Sequence, residues 1–282
     1  MLSAIVFGLL SMFGYGISSA LCKRIIERLG SVRAIFYRNL VVSVCLFIVL
    51  VFNMPEAFSG KSIAVAFALA FLGYVPFVTF FKALGMGKIG VVVPISNSAV
   101  IVTVALSLLF LKEILTSFQL VAIASIVLGI ILCSVNFRDF RSSHVFHYHS
   151  GVPLALVTCV LWGVFFFIWK HPIMLLGPFL SAFVQEASMV VYSGAQLKIT
   201  RQNFRFTEKV MTIVIIEIFA AAGTLFFNLG LNVGPVGVVA ALSFASPLVS
   251  TLYSRIVYKE HLSAKQWIAV MLIIAGIIVI SL

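Results

Sequence analysis

The sequence predicts an all-α membrane protein of ten transmembrane helices, arranged as two inverted five-helix repeats. Three observations predict it. The chain is 62% hydrophobic and 10% charged, against about 25% charged residues in soluble proteins. With 27 Phe among them, its apolar side chains exceed what a soluble fold can hide. Those residues fall into ten continuous runs. Finally, Gly90–Ser134 recurs 147 positions later, without a gap, as Gly237–Ser281, with sixteen of the 45 aligned positions identical.

A membrane-spanning helix needs about 20 mostly apolar residues. Only helices and closed barrels satisfy their backbone in lipid, and runs that are continuous rather than alternating exclude a barrel. Run one (2–21) has no basic segment before it and carries Lys23 and Arg24 after it, so it reads as a retained helix, not a cleaved signal. Run two (32–52) stops at Asn53-Met54-Pro55-Glu56, and run three (62–84) at Gly85-Met86-Gly87-Lys88. Runs four (89–111) and five (118–135) meet at Lys112-Glu113. Run six (151–169) is closed by His171-Pro172 and is followed by run seven (179–198). Run eight (209–231) ends before Gly234-Pro235; runs nine (236–257) and ten (264–282) meet at Lys259-Glu260. The longest polar insertion, Asn136–Ser150, joins the halves, giving a first repeat at 1–135, a linker at 136–150 and a second repeat at 151–282.

A unit with an odd number of spans, followed directly by its copy, inserts the copy upside down. The loop charges agree. Of nineteen Lys and Arg, fifteen fall on the face holding the loops after runs one, three, five, seven and nine, and three on the other. The positive-inside rule then places the fifteen-charge face in the cytoplasm and both termini outside. The same bias accounts for the net charge of +11 without nucleic acid. Cys22, Cys45, Cys133 and Cys159 have no paired spacing and read as small packing residues.

The ends of the halves resemble the drug/metabolite transporter superfamily, as a chain with two EamA-type domains. The carrying residues are Lys112-Glu113-Ile-Leu-Thr, Gln119 and Gly129-Ile-Ile in one half. Their counterparts are Lys259-Glu260-His-Leu-Ser, Gln266 and Gly276-Ile-Ile. Tyr15-Gly16 and Trp162-Gly163, again 147 apart, fit the family's first helix in each half. The resemblance implies that runs one to four and six to nine line a central site, that runs five and ten brace it, and that both termini are cytoplasmic, against the charge count. The proline pattern departs from the family: Pro247 is matched by Val100, and Pro94 sits six residues before that, so the two halves are expected to kink differently.

Ionisable groups inside apolar helices are costly and point to function. Four stand out: Arg38, Lys82, Glu186 and Glu217, with Lys82 nearest a loop. In the repeat, Arg38-Asn39 faces Gln185-Glu186, so one helix carries a polar pair in both halves. The carboxylates are read as holding protons or cationic groups, with Arg38 or Lys82 answering them; structural ion pairing is the competing reading. Glu217, Thr224 and Asn228, at i, i+7 and i+11, share one helix face. Ser96-Asn97-Ser98, just after Pro94, is placed to line a cavity. The stripe Ser243, Ser246, Ser250 and Ser254 fits close helix packing. Tyr15, Tyr74 and Trp162 sit mid-run, where aromatic rings either stack on a substrate or pack the core. The candidate substrate-binding set is therefore Tyr15, Arg38, Tyr74, Asn97, Trp162, Glu186, Glu217 and Asn228.

His144, His147 and His149 in the linker match no zinc spacing, and Gly85, Gly87 and Gly90 follow a run that is no strand and lack the Lys-Ser/Thr ending of a phosphate loop. No metal, cofactor or nucleotide is expected, and no enzymatic triad or nucleic-acid partner. The expected function is secondary transport of a small organic metabolite or drug-like compound by a multi-pass protein of the cell or inner membrane. The coupling would be to a proton, to an exchanged metabolite or to the substrate's own gradient. A monomer or weak dimer is expected. The alternatives are a polytopic enzyme acting on lipid-linked substrates and a non-transporting sensor or scaffold.

Overall fold

The computed structural model describes the chain except residues 87–91, 93–94, 135–149, 205–209, 258, 260–261 and 282. Every regular element among the described residues is a helix, and none is a strand. Among the described residues there are eleven helices: α1 Leu2–Leu29, α2 Ser31–Val51, α3 Gly60–Met86, α4 Ala99–Phe110, α5 Ser117–Ser134, α6 Val152–Ile168, α7 Lys170–Ile199, α8 Val210–Val233, α9 Val236–Phe244, α10 Ser246–Val257 and α11 Ala264–Ser281. Seven helical segments are long and apolar enough to cross a bilayer, one of them joining α9 and α10. Three more, Ile95–Phe110, Ser117–Leu132 and Val152–Ile168, are apolar but shorter. Large side chains such as Phe13, Phe47, Leu109, Phe118, Met174 and Ile256 lie exposed on their outer faces, the surface that lipid tails cover.

The repeat is visible in backbone geometry. Gly30 and Gly177, 147 apart, have φ of 76° and 74°. Both adopt a conformation reserved for glycine, and each turns the chain from the first helix of its half into the second. For that reason α7 is two helices in one: its N-terminal turns continue α6, and the stretch after Gly177 is the counterpart of α2. Lys112 and Lys259 are likewise paired in the left-handed region, with φ of 51° and 55°. Past each of them a capping box starts the next helix. Thr116 exchanges hydrogen bonds with Gln119, as Ser263 does with Gln266.

Contacts between the halves are reciprocal. A Cβ at Gly16 would lie 2.8 Å from the Ser246 carbonyl oxygen and 2.5 Å from Val249. At Gly163 it would lie 2.9 Å from the Ala99 oxygen and 2.4 Å from Val102, the same contacts displaced by one repeat. Gly129 presses on Ala269 and Ile273, and Gly276 on Ala122 and Ile126. Residue i meeting j while j's counterpart meets i's is the pattern a two-fold relation produces. Thus α1 packs against α8, α9 and α10, α6 against α4, and α5 against α11.

The first apolar run, 2–21, is long and apolar enough to cross a bilayer, and its helix continues past it to Leu29. Pro94, on which the expected difference between the kinks of the two halves rests, lies outside the described residues. Helix four of the first half breaks at Ser98, where φ and ψ are −64° and −2°, and its counterpart at Ala245, where they are −71° and 5°. Each break is bridged by a tightened bond, Ile101 N–H to Ser98 and Leu248 N–H to Ala245, both 2.9 Å. The breaks sit beside the Gly163 and Gly16 crossings, where the other half approaches closely in both repeats.

Candidate functional site

Three ionisable side chains that the sequence places in separate helices converge where the halves meet. Arg38 of α2 donates from Nη1 to Glu186 Oε2 of α7 at 3.2 Å, and its Nε lies 3.9 Å from Glu217 Oε2 of α8. The two glutamate side chains are 2% exposed and Arg38 is 15% exposed, so the guanidinium is the more open member. Arg38 Nη1 also donates to Asn39 Oδ1 at 2.5 Å, and its guanidinium lies 5.3 Å from the centre of the Phe77 ring on α3. One cation between two buried carboxylates leaves a formal charge of −1 when all are ionised. Burial of an unbalanced charge is costly, and such groups mark functional places in membrane interiors.

Hydroxyls extend the cluster. Thr224 of α8 donates to Glu186 Oε1 at 2.9 Å, and Tyr15 of α1 donates to Thr224 Oγ1 at 3.1 Å. Local glycines make this possible. A Cβ at Gly223 would stand 2.8 Å from the Tyr15 ring, and one at Gly14 would stand 2.6 Å from the Gly223 nitrogen. The ring therefore lies against bare α8 backbone. Asn39, which accepts from Arg38, is fully buried, and its Nδ2 has no hydrogen-bond partner among the described residues. An unsatisfied buried donor costs roughly 1–3 kcal/mol.

Asn228 has a different setting. Its side chain is fully buried and fully engaged: Nδ2 donates to the Thr224 carbonyl at 2.8 Å and to Gln185 at 3.5 Å, while Oδ1 accepts from Trp169 Nε1 at 3.0 Å and from Ser181 Oγ at 3.2 Å. Ser181 also donates to the carbonyl of Gly177, the turning glycine of α7, at 2.7 Å. Asn228 thus ties that turn to the face that carries Thr224.

Of the eight candidate residues, Tyr15, Arg38, Glu186 and Glu217 are brought together, and Asn228 adjoins them from behind. Trp162, partly buried, is one ring away: it packs edge-on to Phe77 at 5.4 Å and against Phe80 at 5.1 Å. Tyr74 is elsewhere. It is 5% exposed and hydrogen-bonds Gln196 near the end of α7. There it lines an apolar cavity of about 300 Å³ with Phe71, Tyr192, Ala195 and Ile199. Asn97 is partly exposed before the Ser98 break, and among the described residues no hydrogen bond joins it to the cluster. Lys82 is exposed on α3. The serine stripe behaves as packing where it is described: the Ser246 carbonyl faces Gly16, and Ser250 bonds back to Pro247 at 3.2 Å. The linker histidines lie outside the described residues; among the described residues no group of three ligating side chains is found.

Sequence reasoning passed over four contributors. Phe77 was one Phe among many, Trp169 stood at a run's edge, Ser181 had no partner in sight, and Glu113 looked like a turn residue. Glu113 instead reaches across to the second half. Its Oε1 accepts the Val236 N–H at 2.5 Å and its Oε2 the Gly237 N–H at 3.1 Å, capping α9. Lys170 caps the other side of that corner through the carbonyls of Leu231 and Gly234.

Apolar helices around a buried charge cluster make this an integral, multi-pass membrane protein, and comparison with known proteins gives its family. The profile of the EamA-like transporter family matches residues 2–135 and again 149–282. The chain belongs to that family. A curated relative from Methanocaldococcus jannaschii, an uncharacterized protein, is 35% identical over 134 residues. Those residues are 98% of the relative but 48% of this chain, so the relative has the length of one half. A solved crystal structure of a protein with 16% identity superposes with a TM-score of 0.82, over 99% of this chain and 98% of its own, which establishes a shared fold. Membership of a transporter family implies a small-molecule substrate and a bilayer as the protein's surroundings.

Proposed function

We propose that this protein is a secondary transporter of a small organic compound. Its two halves, 1–135 and 151–282 joined by 136–150, are inverted five-span repeats that rock about a site at the Arg38 cluster. The observation carrying this is the cluster itself: a buried Arg38–Glu186–Glu217 group whose cation comes from the first half and whose anions come from the second. Groups that join two moving bodies inside a membrane are where substrate binding can be coupled to their motion. The reciprocal glycine contacts support the two-fold relation, and the odd span number supports its inversion. Seven helical segments long enough to cross a bilayer and three shorter apolar helices, among the described residues, support a ten-span count. A single chain already supplies both halves, which favours a monomer.

The site residues proposed are Tyr15, Arg38, Glu186 and Glu217, with Asn39 Nδ2 as an open donor and Phe77 and Trp162 as an aromatic wall. Asn228 is assigned to holding α7 on α8 and not to the substrate. No phosphate-binding loop is present in the sequence, which favours an ion, exchange or the substrate's own gradient as the driving force. A thermal-shift screen of a metabolite panel on purified protein tests the reading. A true ligand should raise the melting temperature of the wild type and lose that effect in Glu217→Gln and Arg38→Ala. Hits that stabilise all three proteins equally would place binding elsewhere.

A further inference from the structure

We propose that Tyr15 and Thr224 form a hydroxyl relay that delivers protons to Glu186, and that the arriving proton hands Arg38 from Glu186 to Glu217. This rests on the reading of the cluster as the transport site and names its coupling ion.

The relay is continuous. The Tyr15 hydroxyl donates to Thr224 Oγ1, and the Thr224 hydroxyl donates to Glu186 Oε1, at 3.1 and 2.9 Å. Both donors point the same way along the chain, as proton hopping requires. Tyr15 is partly exposed, whereas Thr224 is fully buried and Glu186 is 2% exposed. A proton from water joins the Tyr15 oxygen, the Tyr15 proton moves to Thr224, and the Thr224 proton moves to Glu186. Every hydroxyl is restored, and one proton from outside ends on the carboxylate.

The two oxygens of Glu186 divide the work. Oε1 receives the relay and Oε2 holds Arg38. Arg38 is shared unequally, at 3.2 Å from Glu186 and 3.9 Å from Glu217. Neutralising Glu186 removes the nearer attraction and leaves the charge on Glu217. Since Arg38 is on α2 and the carboxylates are on α7 and α8, the exchange changes which helix of the second half grips the first. Against Glu186 stand Thr224 from α8, with Tyr15 from α1 behind it, and Arg38 from α2; Arg38 in turn reaches Glu217 of α8 and Asn39, Cys45 lies near Glu217, and α3 presents the uncharged Phe77 to Arg38.

Infrared spectroscopy of protein in lipid nanodiscs, after light-triggered release of a caged proton, tests this with no substrate needed. A protonated-carboxyl band that is absent in Glu186→Gln identifies the group. Thr224→Val keeps the shape of the side chain but removes the hydroxyl, and Tyr15→Phe opens the first link. The band should rise about 100-fold more slowly in each, the lower end of the range for a positioned proton donor. Thr224→Ser should restore the wild-type rate. Wild-type rates in both Thr224→Val and Tyr15→Phe would overturn the relay, as would a wild-type spectrum without a Glu186 band. Because the readout is protonation and not uptake, the result stands apart from the transport reading. A normal band in a protein that binds no metabolite would leave the relay intact and sink the transporter assignment.

Discussion

Arg38 is the residue on which the cluster balances. Replacing it with Met would leave two buried carboxylates facing each other, and losing one partner of a buried pair typically costs about 3–5 kcal/mol. Arg38→Met should therefore unfold at clearly lower temperature in detergent, and adding Glu186→Gln should recover part of the loss. Additive losses in the double variant would show that the two groups are not coupled. Much of this cluster is legible in the sequence, because a charge in an apolar run has few cheap explanations. Arg38, Glu186 and Glu217 stand out on that ground, and helical spacing adds Thr224 and Asn228. Their partners are not legible, because pairing across helices depends on how each helix is rotated. That rotation turns Tyr74 away towards Gln196 and seats Tyr15 on Gly223. It also presents Phe77, indistinguishable by composition from 26 other Phe, to Arg38.

At the scale of elements, the repeated signature divides into physical parts. The Lys adopts a left-handed turn that ends one helix; the Gln closes a capping box that starts the next; the Gly lets the bracing helices cross. Glu113 does something the sequence does not disclose, since its partners are backbone N–H groups 123 and 124 residues away. Glu113→Ala should cost about 0.5–2 kcal/mol, the scale of a lost helix cap, and Glu113→Gln less, as measured by thermal unfolding. An unchanged melting temperature in Glu113→Ala would deny the cap any weight. The crossing of α5 and α11 gives a sharper forecast. A side chain at Gly129 or Gly276 meets the other helix within 3 Å, and overpacking costs typically 1–3 kcal/mol. Gly129→Val and Gly276→Val should lower stability by similar amounts, because their surroundings are copies of each other. A large effect at one and none at the other would break the symmetry argument. The breaks at Ser98 and Ala245 are alike although the residues around them differ, and each lies against a glycine crossing of the other half.

For the whole molecule, an all-helical membrane protein was readable from composition and run length and the duplication from the 147-residue offset, while the family resemblance rests on the Lys-Glu, Gln and Gly residues that close each half; the family profile covers both halves. Orientation is a separate matter. The fifteen-to-three distribution of loop charges predicts both termini outside, so a reporter fused to the C-terminus should be active only if it works on the outer side. Activity of a cytoplasmic reporter there would reverse the assignment. The central claim is that the Arg38 cluster lies on a path opened alternately to each side of the membrane, and counterflow in proteoliposomes tests it most directly. The best-binding metabolite is loaded inside, and uptake of a labelled trace is followed. Wild-type protein should be trans-stimulated by the internal load. Glu217→Gln and Arg38→Ala should lose about tenfold or more, the scale of one charged hydrogen bond. Uptake no faster than in protein-free liposomes, or variants as active as the wild type, would contradict the account.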